Sequence, residues 1–143
     1  MGYLNPFFHY GMEKFLQNAQ EYNIQGTIIP DLPFEMAQNF EALFNKYNKA
    51  NICFVAPTDS EERIKQITQN AQKFIYMVAY AGITGSGQKE DLTTVINNVK
   101  KHSSTPLYIG FGVDENTCKE KIIGVDGVIV GSAFVKHIID DSL

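Results

Sequence analysis

The feature that most constrains this chain is a repeated alternation. Short all-apolar runs are separated by segments whose apolar residues recur every three or four positions. Gly26-Thr-Ile-Ile-Pro30, Ile52-Cys-Phe-Val-Ala56, Phe74-Ile-Tyr-Met-Val78, Leu107-Tyr-Ile109 and Val125–Val130 carry β-branched and aromatic side chains without polar alternation. Such strands are buried on both faces, as parallel strands covered by helices are. Between them, Met12, Phe15, Leu16 and Ala19 fall at helical spacing, as do Met36, Phe40, Leu43, Phe44 and Tyr47. Ile64, Ile67 and Ala71 form a third stripe, and Leu92, Val95, Ile96 and Val99 a fourth. Met12, Met36 and Phe44 are expected in the core. Thr58-Asp-Ser-Glu61 reads as a capping box in which the Thr58 hydroxyl accepts the Glu61 N–H. A short polar helix is expected over Asp114–Lys121 and an apolar one over Phe134–Ile139.

The class is therefore α/β, a single domain over residues 1–143. The pattern leaves two architectures open: an open doubly wound parallel sheet, or part of a (β/α)8 barrel, which usually takes about 250 residues. In both, ligands sit at the C-terminal ends of the strands. Glycine turns stand at three of those ends, at Gly82-Ile-Thr-Gly85, Gly110-Phe-Gly112 and Gly131-Ser132. The last runs directly into a helix, where unpaired amides and the helix dipole favour an anion. Phosphate is the expected guest, and the other two glycine turns could converge on the same spot if the strands are parallel neighbours.

Composition narrows the partners. A net charge of -4, with no basic run longer than Lys100-Lys101, offers no footprint for nucleic acid or an anionic membrane. Cys53 and Cys118 lack metal or redox spacing and read as structural thiols of a reducing compartment. The three histidines, His9, His102 and His137, are scattered, so no metal is expected. No apolar run approaches the length of a membrane span and no secretory signal is recognisable, so the expected location is the cytoplasm.

Seven segments then fall into a familiar series. Tyr3-Leu-Asn-Pro6, Gly11-Met-Glu-Lys-Phe15, Ile28-Ile-Pro-Asp-Leu-Pro33, Val55-Ala-Pro-Thr58, Gly82-Ile-Thr-Gly85, Gly110-Phe-Gly112 and Gly131-Ser-Ala-Phe-Val-Lys136 resemble, in order and spacing, the tryptophan synthase alpha chain. The resemblance implies a (β/α)8 barrel and a lyase of tryptophan biosynthesis. Its reaction is retro-aldol cleavage of indole-3-glycerol phosphate to indole and glyceraldehyde 3-phosphate. It also implies a heterotetramer with a partner beta chain, which holds the pyridoxal phosphate and receives the indole; no cofactor is implied for this chain. It implies further that Gly85, Gly112 and Gly131 offer backbone N–H groups to the phosphate, with the Ser132 hydroxyl, while Tyr3, Ile28, Tyr76, Gly110 and Phe111 would line the indole and glycerol part of the site. Thr84 would sit on a closing loop, Ala81–Lys89, and meet a catalytic aspartate. Asn5 and Pro30–Pro33 would face the beta chain.

The family's two catalytic carboxylates lie in segments like Glu-Leu-Gly-Val-Pro-Phe-Ser-Asp-Pro, and none of these 143 residues matches either. No catalytic residue is thus expected in this chain, which reads as an incomplete barrel, from the end of strand three through strand eight. An alternative is a non-catalytic phosphate-binding half-barrel or interaction fragment. Read without the resemblance, Tyr76 is a core tyrosine and Asp31 a turn former bonding its own backbone, which for Asp31 remains the favoured reading. Lys119-Glu-Lys121 reads as a solvated helix face.

Overall fold

The computed structural model describes residues 1–78 and 92–140, and the chain divides into two compact units, residues 1–53 and 54–143. The first holds α1 (Leu4–Tyr10), α2 (Met12–Glu21), β1 (Gly26–Thr27), α3 (Phe34–Ala37), α4 (Glu41–Lys46) and β2 (Ala50–Asn51). β1 and β2 pair in parallel, Gly26 beside Ala50 and Thr27 beside Asn51. Leu4, Phe7, Met12, Leu16, Ile29, Leu32 and Phe44 form the core of this unit. Within it, Phe7 meets Phe15 edge-on at 4.8 Å.

Expectation and structure part at several points here. Met36 is 39% exposed rather than core, because the expected single helix breaks into α3 and α4 around a 3-10 turn at Gln38–Phe40, which rotates the stripe. The expected strand over residues 26–30 ends at Thr27: the Ile28 carbonyl accepts the Gly2 amide and the chain turns, with Leu32 N–H donating to the Ile29 carbonyl at 3.2 Å. Asp31 does not bond its own backbone. Its Oδ1 accepts the Leu4 N–H at 2.7 Å, placing a carboxylate on the first amide of α1, a helix with no cap from Tyr3. Asp31→Ala is expected to lower stability by about 1 kcal/mol and Asp31→Asn, which keeps an acceptor, by less. The urea midpoints of the two variants check this.

In the second unit, β3 (Cys53–Val55), β4 (Ile75–Val78), β5 (Leu107–Gly110) and β6 (Gly127–Val128) form one sheet in that order, with α5 (Glu61–Thr68), α6 (Thr93–His102), α7 (Cys118–Lys121) and α8 (Ser132–Ile139) between and after them. The expected apolar strand over residues 52–56 is thus the shorter β3, Cys53–Val55, with Ile52 standing between it and β2. Ile64, Ile67, Ile75, Met77, Val95, Val99, Leu107 and Ile109 are buried. Burial of each such side chain is worth roughly 1.5–3 kcal/mol, which is what fixes the helices on the sheet. The α5 cap is Ser60, whose hydroxyl accepts the Arg63 N–H at 3.3 Å; Thr58 does not fill that role. Asp59, one residue before Ser60, instead accepts the Ala56 amide at 2.7 Å and pairs with Arg63. α5 and α6 are tied by Glu61, which meets Lys101 Nζ at 2.6 Å and His102 Nε2 at 3.0 Å.

Candidate functional site

The strand register assembles the rim. Val78 of β4 lies beside Gly110 of β5, and Ile109 beside Val128 of β6, all in parallel. The segments that follow β5 and β6 therefore leave the sheet at one edge. Gly110-Phe111-Gly112 and Gly131-Ser132 become neighbours along that edge, the Ile129 amide continuing the ladder to the Ile109 carbonyl at 2.8 Å. Gly82, Thr84, Gly85 and the Ala81–Lys89 loop lie outside the described residues.

An aromatic wall stands beside the turn. Tyr76 is buried, stacked on Phe54 at 4.9 Å with planes 27° apart, and edge-on to Phe111 at 5.9 Å. Its phenol occupies the space that a Cβ on Gly110 would need, so Gly110 is glycine because Tyr76 is there. Burial pushes the Tyr76 hydroxyl above the ordinary tyrosine range, partly opposed by the Phe111 amide against its oxygen. Tyr76 is thus a core tyrosine with a partnered hydroxyl, and it adjoins the rim.

Phe111 and Gly112 both have positive φ, 71° and 59°. For a bulky residue such as Phe111 this conformation costs on the order of 1 kcal/mol or more and persists only where the surroundings enforce it. The enforcement is visible. Lys121 Nζ donates to the Phe111 carbonyl at 2.8 Å and to the Gly112 carbonyl at 2.7 Å, and the Thr117 hydroxyl lies 3.1 Å from the same Gly112 oxygen. Asp114 Oδ1 accepts the Asn116 and Thr117 amides. The Thr117 amide, then its hydroxyl, hold the Asp114 carboxyl below the usual carboxylate range. Lys121 is therefore not simply a solvated lysine. Nearly half of the Phe111 surface stays open to solvent.

Gly131 differs from Gly110. Its φ is -117°, an ordinary value, and a Cβ added there meets nothing within 4 Å. Neither strain nor packing requires glycine at that position. α8 begins at Ser132, and its first intrahelical bond, Val135 N–H to the Gly131 carbonyl, leaves the Ser132, Ala133 and Phe134 amides ahead of it without helical acceptors.

Tyr3 and Ile28 belong to the first unit. Tyr3 is 68% exposed, and the Gly2 amide, 3.1 Å from the Ile28 carbonyl, ties their two segments together. Asn5 opens α1, and Pro30–Pro33 contains the Asp31 cap on that helix. Among the described residues no group of three or more histidine, cysteine or acidic side chains could hold a metal ion, and no helix is long and apolar enough to cross a membrane. Burial pushes the Cys53 thiol up to about 11, so it stays protonated and unreactive.

Comparison with known proteins decides the family. The family model described as tryptophan synthase alpha chain matches residues 1–142. The chain belongs to the tryptophan synthase alpha chain family. It is 51% identical over 144 aligned residues to the alpha chain of Wolinella succinogenes, covering 100% of this chain and 56% of that one. To the alpha chain of Petrotoga mobilis it is 42% identical, covering 99% and 56%. Among solved structures, the alpha subunit from Campylobacter jejuni superposes with a TM-score of 0.84 at 36% identity, covering 94% of this chain and 55% of that chain. The chain thus spans about half the length of the relatives it matches. Its parallel strands and covering helices are a partial (β/α)8 barrel of this alpha chain family, and the open doubly wound alternative falls away. Phe54 and the Lys121–Thr117 pair are features of the rim that reasoning from sequence passed over. Phe54 carries no signal that separates it from other strand residues, and Lys121 stands in a run of alternating charge.

Proposed function

We propose that this chain carries the phosphate and indole side of an active site that cleaves indole-3-glycerol phosphate to indole and glyceraldehyde 3-phosphate by a retro-aldol route. In this reading the Gly112, Gly131 and Ser132 amides, with Gly85 and the Ser132 hydroxyl, hold the phosphate. Tyr76, Gly110 and Phe111 present the apolar wall, Thr84 belongs to the loop, and Tyr3 and Ile28 are assigned to the substrate by the family resemblance alone. The general acid and base come from carboxylates outside these 143 residues. The partner is a tryptophan synthase beta chain in a heterotetramer, faced by Asn5 and Pro30–Pro33, with pyridoxal phosphate on the beta side and both proteins in the cytoplasm. Residues 1–143 act as one α/β domain of the barrel.

The observation that carries this reading is the parallel β5–β6 register, which sets the Gly110–Gly112 turn beside a helix start whose glycine no packing constraint requires. Backbone amides gathered at a strand end, with room for an anion, suit a phosphate monoester. Glycerol phosphate titrated into the chain and followed by amide NMR should shift Gly112, Gly131 and Ser132 together. Ser132→Ala is expected to weaken it by about 1–2 kcal/mol, the worth of one hydrogen bond to a charged group. Gly131→Val should weaken it more without unfolding the protein, since its side chain enters open space. Equal affinity of wild type and Gly131→Val would remove the phosphate from this turn.

A further inference from the structure

The peptide groups of the Phe111–Gly112 turn face two ways. Every described peptide bond is trans, so the Phe111 carbonyl and the Gly112 N–H, which share one planar unit, point in opposite directions. The same holds for the Gly112 carbonyl and the Val113 N–H. Both carbonyls are gathered on Lys121 Nζ, at 2.8 and 2.7 Å. The Gly112 and Val113 amides are thereby turned away from the ammonium, side by side, and neither donates to another described residue. A cation on a carbonyl also polarises its peptide group, making the N–H at the other end a stronger donor.

We propose that Lys121 is a positioning residue for the anion site: by clamping two successive carbonyls it aims and strengthens the Gly112 and Val113 amides as a paired phosphate donor, without touching the ligand. The proposal rests on the phosphate reading above and names a device that reading lacks. Lys121 acts through two peptide bonds, so replacing it changes the donors themselves as well as the charge nearby. Lys119, on the same short helix, supplies a matching charge change without these contacts.

The test compares wild type with Lys121→Met, Lys121→Arg and Lys119→Met in the 143-residue chain, using inorganic phosphate and amide NMR. Without ligand, Lys121→Met should move the Gly112 and Val113 amide resonances upfield and leave Gly131 and Ser132 in place. Lys121→Arg, whose fork can reach both oxygens, should stay near wild type. With phosphate, Lys121→Met should bind about 5- to 10-fold more weakly, the scale of one charge-assisted hydrogen bond, and Lys119→Met within about twofold. Unchanged Gly112 and Val113 resonances in ligand-free Lys121→Met overturn the proposal, as does an equal loss of affinity in Lys119→Met. If wild-type Gly131 and Ser132 do not respond to phosphate, the phosphate reading fails, while the ligand-free comparison still decides whether Lys121 sets the turn.

Discussion

Incubated alone with indole-3-glycerol phosphate, the 143-residue chain is expected to release no indole above the buffer background. The proposed reaction needs a proton delivered to the indole ring and another removed from the glycerol hydroxyl. General acid or base groups typically contribute ~10²–10⁴ each. No segment here matches the family's carboxylate-bearing strands, and the described part of the site offers amides, a serine hydroxyl and an aromatic wall. In the proposed reading these would bind substrate and transition state alike, which lowers KM more than it raises kcat. Losing both proton-transfer groups removes ~10⁴–10⁸ in rate if they act independently. A sample that binds glycerol phosphate yet yields no indole in a colorimetric assay satisfies the expectation. Indole release in proportion to chain concentration would show that a catalytic pair lies within these residues after all.

Gly110→Val should be the most damaging single substitution on the rim. Valine is the better strand former, by up to about 1 kcal/mol, so propensity alone predicts a gain within β5. The clash decides the sign. A Cβ at this position overlaps the Tyr76 phenol, and Tyr76, 4% exposed and stacked on Phe54 at 4.9 Å, has no free direction to move. Overpacking of this kind costs typically 1–3 kcal/mol and sometimes more, and a branched side chain belongs at the upper end. Gly131→Val is the control, with nothing within 4 Å of its Cβ and an expected change under about 0.5 kcal/mol. Urea unfolding of both variants measures the contrast. A Gly110→Val protein as stable as wild type would mean that the phenol swings out of its site freely.

What could be read in advance divides along physical lines. Hydrophobic period is a local property, so the α2, α5 and α6 stripes and the β4 and β5 runs were legible from their own residues. The 3-10 turn at Gln38–Phe40 was not, because the Met36–Tyr47 stripe fits one continuous helix and only tertiary packing breaks it. Thr58 and Ser60 are both good caps, and Ser60 prevails because the neighbouring Asp59 is engaged with the Ala56 amide. α1 escaped notice because it is short, contains Pro6, and takes its cap from a residue far along the chain. The glycine turns of the rim were visible as residues, but what distinguishes them was not. Gly110 answers to a tyrosine one strand away, Gly112 to a positive φ, and Gly131 to neither. Lys121 shows the same limit, since a charge in an alternating run says nothing of the carbonyls above it.

The carboxylate that caps α1 ties the helix to a distant event. At seven residues, α1 is far below the ~12–15 at which an isolated helix begins to hold its own in water, and the acceptor for its first amide arrives 27 residues later. Residues 1–11 cut out as a peptide would therefore be coil. The Pro30–Pro33 turn supplies that acceptor while Leu4 and Phe7 pack into the core beside Ile29 and Leu32, so helix and turn support one another. The two open and close as one cooperative unit, so hydrogen exchange at the Leu4 amide becomes a remote reporter of the turn, and anything that seats itself on Pro30–Pro33 will be felt at the first residues of the chain.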